Sequence, residues 1–470
     1  MLNKNFLFAF IFLFFSVQLF SQDFGFGSFD DEENISGSNS GLSVSISGEV
    51  SASMMGYLKD FSEGASKTEL GDIFSGSLAF SAGAPIAEAY IGVSIEPTET
   101  PIMLDEAYVR AYLGNFEIEG GFRKLTWGKA DSFGPLDVIN PLDYSSLTDL
   151  SDLMNFKIAR PLVRLSYRFG SFSKIEGVFV PSFEPMRFAE SGSRWYPKQM
   201  AQLDNLKDDI LTGYQAANVP ITEDDINILI NKPDNDRLAK IDYAQAGLRF
   251  TTTIGSADLG FQYYYGRLTR PAVNIGFSQF EIPLPPPYPS MYVPVPSSIN
   301  YSYNPYHQIG IDWAQVLFGF NIRAEFAANI TEDLSGEDAA IYNPHLAWSF
   351  GFDRNLFWGI NFSVQCNETI RLLNDKVSTN PYDIEADTDM TSTQIIFVLT
   401  KSLFRDQLEL RAAVFWQVEA GDCMIVPSIV WTKDALSIEL SGGFFAGDKN
   451  GQFGQYNNNN FIKTAVTYSF

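Results

Sequence analysis

"FIKTAVTYSF", residues 461–470, ends the chain on a bare aromatic residue. Taken by twos, Ile462, Thr464, Val466, Tyr468 and Phe470 share one face, and Lys463, Ala465, Thr467 and Ser469 share the other. A period of two belongs to a β-strand, here with one apolar and one wet side. A terminal strand in an open sheet leaves an unpaired edge, which invites aggregation. A closed barrel has no such edge, so the stretch predicts a last strand that pairs with the first. An apolar final strand ending in Tyr468 and Phe470 also resembles the signal recognised by the bacterial barrel-assembly machinery.

The same period recurs upstream. "LSVSISGEVSASM", residues 42–54, sets Leu42, Val44, Ile46, Val50, Ala52 and Met54 against Ser43, Ser45, Ser47, Glu49, Ser51 and Ser53. "FGFNIRAEFA" (318–327), "WGINFSVQC" (358–366) and "QLELRAAVFWQV" (407–418) repeat it. About 18 such runs of roughly ten residues follow one another, the length of a tilted strand crossing a bilayer. The expected fold is therefore an all-β transmembrane antiparallel barrel of about 18 strands, within a range of roughly 14–18.

The connections alternate in length. "SAGAP", "GNF", "FGSFS", "TIGSA", "WAQV", "DRN", "KSLFRD" and "TKDA" read as tight turns. Between them lie residues 129–155, a long segment after Pro181, the Pro-rich "EIPLPPPYPSMYVPVPSS", "VSTNPYDIEADTDM" and "GDKNGQFGQYNNNN"; only "EAGD" (419–422) is brief. Short periplasmic turns and long outer loops are the habit of outer-membrane barrels. A β-sandwich would also alternate in hydropathy, but it has no reason to alternate its loop lengths. Trp313, Trp348, Trp358, Trp416 and Trp431 near strand ends suit interfacial girdles.

The start of the chain agrees. Lys4, the apolar "FLFAFIFLFFSVQLF" and Ser21 have the layout of a signal peptide over residues 1–22, with an N-terminal anchor as the alternative. Residues 23–40, including "DFGFGSFDDEENISGSNS", read as an acidic flexible linker ahead of a barrel over 41–470. The expected place is the outer membrane, reached through the periplasm. Lys and Arg total 32 against 56 Asp and Glu, so nucleic acid is a poor partner. Cys366 and Cys423 fall on strands that are not neighbours and read as free.

With an apolar face toward lipid, the wet face lines the lumen. By parity the candidate lumen charges are Glu49, Glu106, Arg110, Glu117, Glu119, Arg123, Arg164, Arg168, Arg249, Arg323, Glu325, Glu409 and Arg411. Facing rows of Arg and acids would sort solutes by charge, whereas pairs within the wall would do so weakly. Enzymatic signals are poor. His307 and His345 are the only histidines, too few for a His-rich metal site, and no nucleophile elbow accompanies them; neither a catalytic residue nor a metal or cofactor is expected.

Residues 106–147 carry a basic pair, Arg123 and Lys124, then Trp127 and Gly128, then Asn140, Pro141 and Asp143. With "RPLVRLSYRFGSFSKIEGVFVPSFEPMRF" (160–188), this resembles the DUF1302 family of porin-like Gram-negative barrels over roughly residues 104–197. The resemblance implies a barrel and leaves the substrate open between porin-like passage and handling of hydrophobic compounds. The loop behind Gly128 holds Asp131, Asp137, Asp143, Asp149 and Asp152, with turn formers at Gly134-Pro135 and Asn140-Pro141. It is a candidate constriction loop if it enters the lumen, where it would favour cations; packing on the outer rim is the other option. The Asp spacing lacks the order of a Ca²⁺ loop.

Met200, Leu203, Leu206, Ile210 and Leu211 recur at helical spacing, and Thr222 with Asp225 approaches a capping box, so residues 182–240 are expected to form a partly helical outer loop. The expected function is a passive porin-like channel for small solutes with a cation preference. A transporter of hydrophobic or lipid-like molecules and a surface receptor or adhesin are the alternatives. The partners would be outer-membrane lipid, the assembly machinery and small solutes, with a homo-oligomer left open.

Overall fold

The computed structural model describes residues 42–59, 68–69, 74–96, 101–148, 153–216, 222, 230–231, 233, 235–282, 285, 287–378, 383–386 and 388–470. The expected signal peptide and linker, Asp149, Asp152, and most of residues 217–234 with Asp225 lie outside them.

The wall begins with β1 (Ser43–Tyr57), β2 (Phe74–Ala84), β3 (Ala87–Ile95), β4 (Ile102–Leu113), β5 (Phe116–Arg123) and β6 (Arg160–Phe169). It continues with β7 (Ser173–Val180), β8 (Gln245–Ile254), β9 (Ala257–Arg267), β10 (Pro305–Leu317), β11 (Phe320–Thr331) and β12 (His345–Asn355). It ends with β13 (Ile360–Arg371), β14 (Thr391–Leu403), β15 (Leu408–Gln417), β16 (Asp422–Lys433), β17 (Leu436–Ala446) and β18 (Phe461–Ser469). The main sheet counts 19 strands, and setting aside the two-residue piece Thr68–Glu69 leaves a wall of 18.

Each strand pairs antiparallel with its sequence neighbour, and β1 also pairs with β18 from Glu49↔Ser469 to Tyr57↔Phe461. Gly48 and Phe470 exchange both backbone hydrogen bonds at 2.9 Å, so the final residue is the end of the seam.

Alternation decides which side of each strand faces out. On β11, Glu325 is 3% exposed and its neighbour Phe326 is 42% exposed. On β10, Gln308 and Asp312 are buried while Ile309 and Ile311 are exposed. Polar groups inside and large apolar ones outside reverse the order of a water-soluble domain. Lipid is the medium that makes this order stable, with polar residues kept for the lumen.

Short turns gather at one end. At residues 318–319, Phe318 and Gly319 both have positive φ (53° and 79°), the conformation that matches strand twist in a tight hairpin. This corrects the expected turn at "WAQV": residues 313–316 lie inside β10, and the chain reverses just beyond them. "DRN" likewise belongs to β12, and the reversal falls at residues 356–359.

The Pro-rich segment, expected to be loop, forms a hairpin above the barrel in which Ala272–Ile282 pairs with Met291–Ser302. Pro294 and Pro296 are spaced by two and so turn their N-less backbone to the same side, away from the partner strand. A helix, α1 (Lys198–Ala216), lies in the connection after β7. Cys366 and Cys423 are free.

Candidate functional site: the infolded loop and the lumen wall

The connection between β5 and β6, residues 124–159, turns into the barrel. Its neck is tied by Asn140. The Oδ1 atom accepts from Leu125 N at 2.8 Å, while Nδ2 donates to Arg123 O at 3.0 Å and Ile158 O at 2.8 Å. One side chain therefore fastens the entering and leaving arms. Lys157, 5% exposed, bridges them again: Nζ donates to Leu125 O at 2.9 Å and Thr126 Oγ1 at 2.7 Å, and pairs with Asp137 at 2.7 Å. Trp127 is buried beside Leu125, Ile139, Leu162, Val178, Val180, Tyr264 and Tyr306. A Cβ on Gly247 of β8 would stand 2.5 Å from the Trp127 ring, so that wall glycine makes room for it.

The tip wraps a wall acid. The Glu325 carboxylate of β11 accepts from the backbone N–H of Lys129, of Ala130 at 2.7 Å and of Leu136 at 3.3 Å. Gly128 has φ +98°, and a Cβ there would lie 2.2 Å from Glu325 Oε1; a Cβ on Gly134 would lie 2.4 Å from Oε2. Converging amides in a loop form a nest for an anion, and here the anion is a side chain of the same protein.

Neutral amides extend the grip. Gln365 Oε1 accepts from Asp131 N at 3.0 Å and Ser132 N at 3.1 Å. Gln262 donates to Leu136 O at 2.9 Å, Gln308 to Pro135 O at 2.9 Å and Asn367 to Phe133 O at 3.2 Å. All of these wall residues occupy inward positions, so residues 129–136 lie inside the wall formed by β9, β10, β11 and β13.

The loop acids that the structure describes are each near a cation. Asp131 lies 2.5 Å from Arg323, which is also 2.9 Å from Asp353 on β12. Asp137 is closed against Lys157. Asp143 caps Ser145 N at 2.9 Å and lies 3.6 Å from Arg187, where Asp143–Tyr144 runs parallel to Arg187–Phe188 and ties this loop to the next. Burial pushes the Asp131 and Asp137 carboxyls above the usual 3.8, against the pull of Arg323 and Lys157 respectively.

Beneath the neck the wall carries a band of paired charges. Glu119 has no exposed surface and meets Arg110 at 2.7 Å, Arg164 at 3.2 Å and Arg123 at 3.3 Å. Glu117 takes Arg164 and, at 3.7 Å, Arg168; Glu106 takes Arg123 at 3.1 Å; Glu88 takes Arg110 at 2.8 Å. Arg249 meets Asp312 at 2.7 Å. Apart from Arg123–Glu119 these pairs join neighbouring or next-but-one strands of the wall, and they do not form facing rows across the lumen. Arg411, Glu409 and Glu49 are inward by parity elsewhere on the wall. His307 is outside, its Nδ1 2.7 Å from Tyr263 Oη, whereas His345 shares the inward face with buried Ala347 and Ser349.

Opposite the nest, an aromatic cluster joins the long loops to the seam. Trp195 packs with Tyr57 of β1, Phe445 of β17, Phe461 of β18 and Tyr456, and Leu147 and Phe156 of the infolded loop belong to the same cluster.

Comparison of whole structures finds outer-membrane proteins. The outer-membrane channel DcaP of Acinetobacter baumannii is 8% identical, with 92% of this chain and 99% of that chain covered and a TM-score of 0.40. OccAB4 of Acinetobacter baumannii is 8% identical, covering 91% and 98%, at 0.47. OprD of Pseudomonas aeruginosa is 7% identical, covering 91% and 95%, at 0.45. No residue role is carried across at these identities. No family model matches the chain, and no curated protein matches it in sequence; the DUF1302 resemblance rests on its motifs alone.

The sequence points to Asp131, Asp137, Asp143 and Glu325, and the structure brings the loop to Glu325 and Asp131 to Arg323. It does not announce Gln262, Gln308, Gln365 and Asn367 as the loop's anchors. Their only signal is a neutral amide at an inward strand position, which by itself reads as a solvated wall.

Proposed function

We propose that this chain is an outer-membrane channel through which small solutes diffuse past the infolded loop of residues 129–157. The observation that carries the reading is the seating of that loop on Glu325 and Gln365, which narrows a lumen otherwise lined by polar side chains. An 18-strand barrel is wide enough for an aqueous path, and a loop fixed inside it sets the cross-section. A modest cation preference goes with this reading. The charges of the lower band offset one another locally, while Arg323 alone faces both Asp131 and Asp353, leaving an excess negative charge beside the loop. Outer-membrane lipid would surround the wall, with delivery from the periplasm by the barrel-assembly machinery.

The test is single-channel conductance of refolded protein in a planar bilayer, with the reversal potential read in a salt gradient. Stable steps with a cation-side reversal potential are expected. Silence from a demonstrably folded barrel would refute the channel and favour a conduit for hydrophobic molecules, the second reading, which draws on the aromatic cluster around Trp195.

A further inference from the structure

A cavity of about 310 Å³ opens between the infolded loop and the wall, away from the band of paired charges. One side is apolar, with Phe133 and Val138 from the loop and Tyr306 from β10. The other is a strip of neutral hydrogen-bonding groups on inward strand positions: Asn329, His345 and Asn367. The volume lies at the small end of ligand pockets, which run from about 300 to 1,000 Å³. Trp348 and Glu368 also border it, but both sit at outward parity on β12 and β13, so among the described residues no carboxylate or guanidinium occupies an inward position in the lining.

This composition selects the chemistry of a guest. A charged solute would shed water here without meeting an opposite charge, at a cost of several kcal/mol. A wholly apolar solute would strip water from the amides and leave them unpaired. The Oδ1 of Asn329 already accepts from Gln308 at 2.9 Å, so what Asn329 offers a guest is its Nδ2 donor. The Oδ1 of Asn367 is taken by Gln365 at 2.7 Å, and Nδ2 keeps one hydrogen beyond the one given to Phe133 O. Donors on one side and aromatic rings on the other fit a ring with hydroxyls at its edge and C–H groups on its face.

We infer that this cavity, bounded by Phe133, Tyr306, Asn329, His345 and Asn367, is a subsite for an uncharged ring polyol the size of a single sugar. The inference rests on the channel reading and gives it a solute class. D-glucose is the probe, added to the bilayer chamber while the current through single channels is recorded. Saturable block is expected, with sorbitol, an open-chain polyol of similar size, and glutamate, a charged solute, both weaker. Asn329→Leu should raise the half-blocking glucose concentration about tenfold, the effect of one lost hydrogen bond, referred to the variant's own open current. Conducting channels that glucose does not block, or that glutamate blocks as well as glucose, would overturn the subsite and leave the channel intact. If the folded barrel is silent, the channel reading falls, and calorimetry of glucose binding to the detergent-solubilised barrel decides the subsite: saturable heat weakened in Asn329→Leu upholds it, and no heat overturns it.

Discussion

Replacing Glu325 with Ala removes the acceptor around which the loop tip is wound. Hydrogen bonds to a charged group contribute about 1.5–3 kcal/mol each. Those from Lys129 and Ala130 are well formed and the one from Leu136 is long at 3.3 Å, so the gross loss is about 3–6 kcal/mol. Lumen water can reach the released amides, which reduces the net loss to about 2–3 kcal/mol. The bonds donated by Gln262, Gln308 and Asn367 and those accepted by Gln365 remain, at about 1 kcal/mol each. The loop should therefore stay seated most of the time but open about 30- to 150-fold more often. Trypsin cleavage after Lys129 reports that opening when reclosing is fast relative to cutting. The variant should be cut faster by that factor and show larger open-channel fluctuations. Glu325→Gln, which keeps one carbonyl but turns an NH₂ group toward the amides, should do the same. A folded Glu325→Ala barrel cut at the wild-type rate, with unchanged current noise, would refute the anchoring argument.

Further expectations concern single positions. Gly134→Ala places a methyl group 2.4 Å from the Glu325 carboxylate and 2.7 Å from Ala130 Cβ and should loosen the loop. In Glu325→Ala only the Ala130 clash remains, so its cost should be smaller there, a partial non-additivity that a double-mutant cycle of cleavage rates measures. Asn140→Ala leaves Leu125 N and two carbonyls unpaired at the neck and should lower stability by about 2–4 kcal/mol in urea unfolding from detergent. Asp131→Asn should move the reversal potential toward zero with little loss of stability. Asp137→Asn strands the buried Lys157 ammonium and should instead cost about 3–5 kcal/mol, so the two loop acids separate by assay. Burial raises the Asp131 carboxyl above 3.8, so protonation begins at a higher pH than for a free aspartate; on acidification the cation preference should fade with a midpoint above that value, and a midpoint below it would contradict the buried setting.

The barrel was legible because its rule is local. Alternation in residues 42–54 and 461–470 gives the face of every residue, and the rhythm of short and long connections gives the two rims. Turn positions were less so: Phe318 in the left-handed region is a poor choice for an isolated turn, and strand twist overrides that preference. The prolines of residues 281–298 suggested loop, but a strand whose prolines point to its open side tolerates them. Within the loop, Gly134 reads as a turn former and Gly128 as half of a Trp-Gly motif, whereas their spacing serves a carboxylate nearly two hundred positions away. No period within the loop encodes that partner. Paired charges were visible one at a time through parity, yet the crowding of Arg110, Arg123 and Arg164 on Glu119 follows from strand register, which a single strand does not carry.

The winding of Gly128 and Gly134 about Glu325 also orders events during assembly. The amide of Ala130 and its acceptor are separated by 195 positions, so the tip has no seat until β11 has joined the wall. A half-built barrel would hold these amides against water alone, and its bore would be wide. Seating of the tip is thus a late step, tied to arrival of the C-terminal half of the wall.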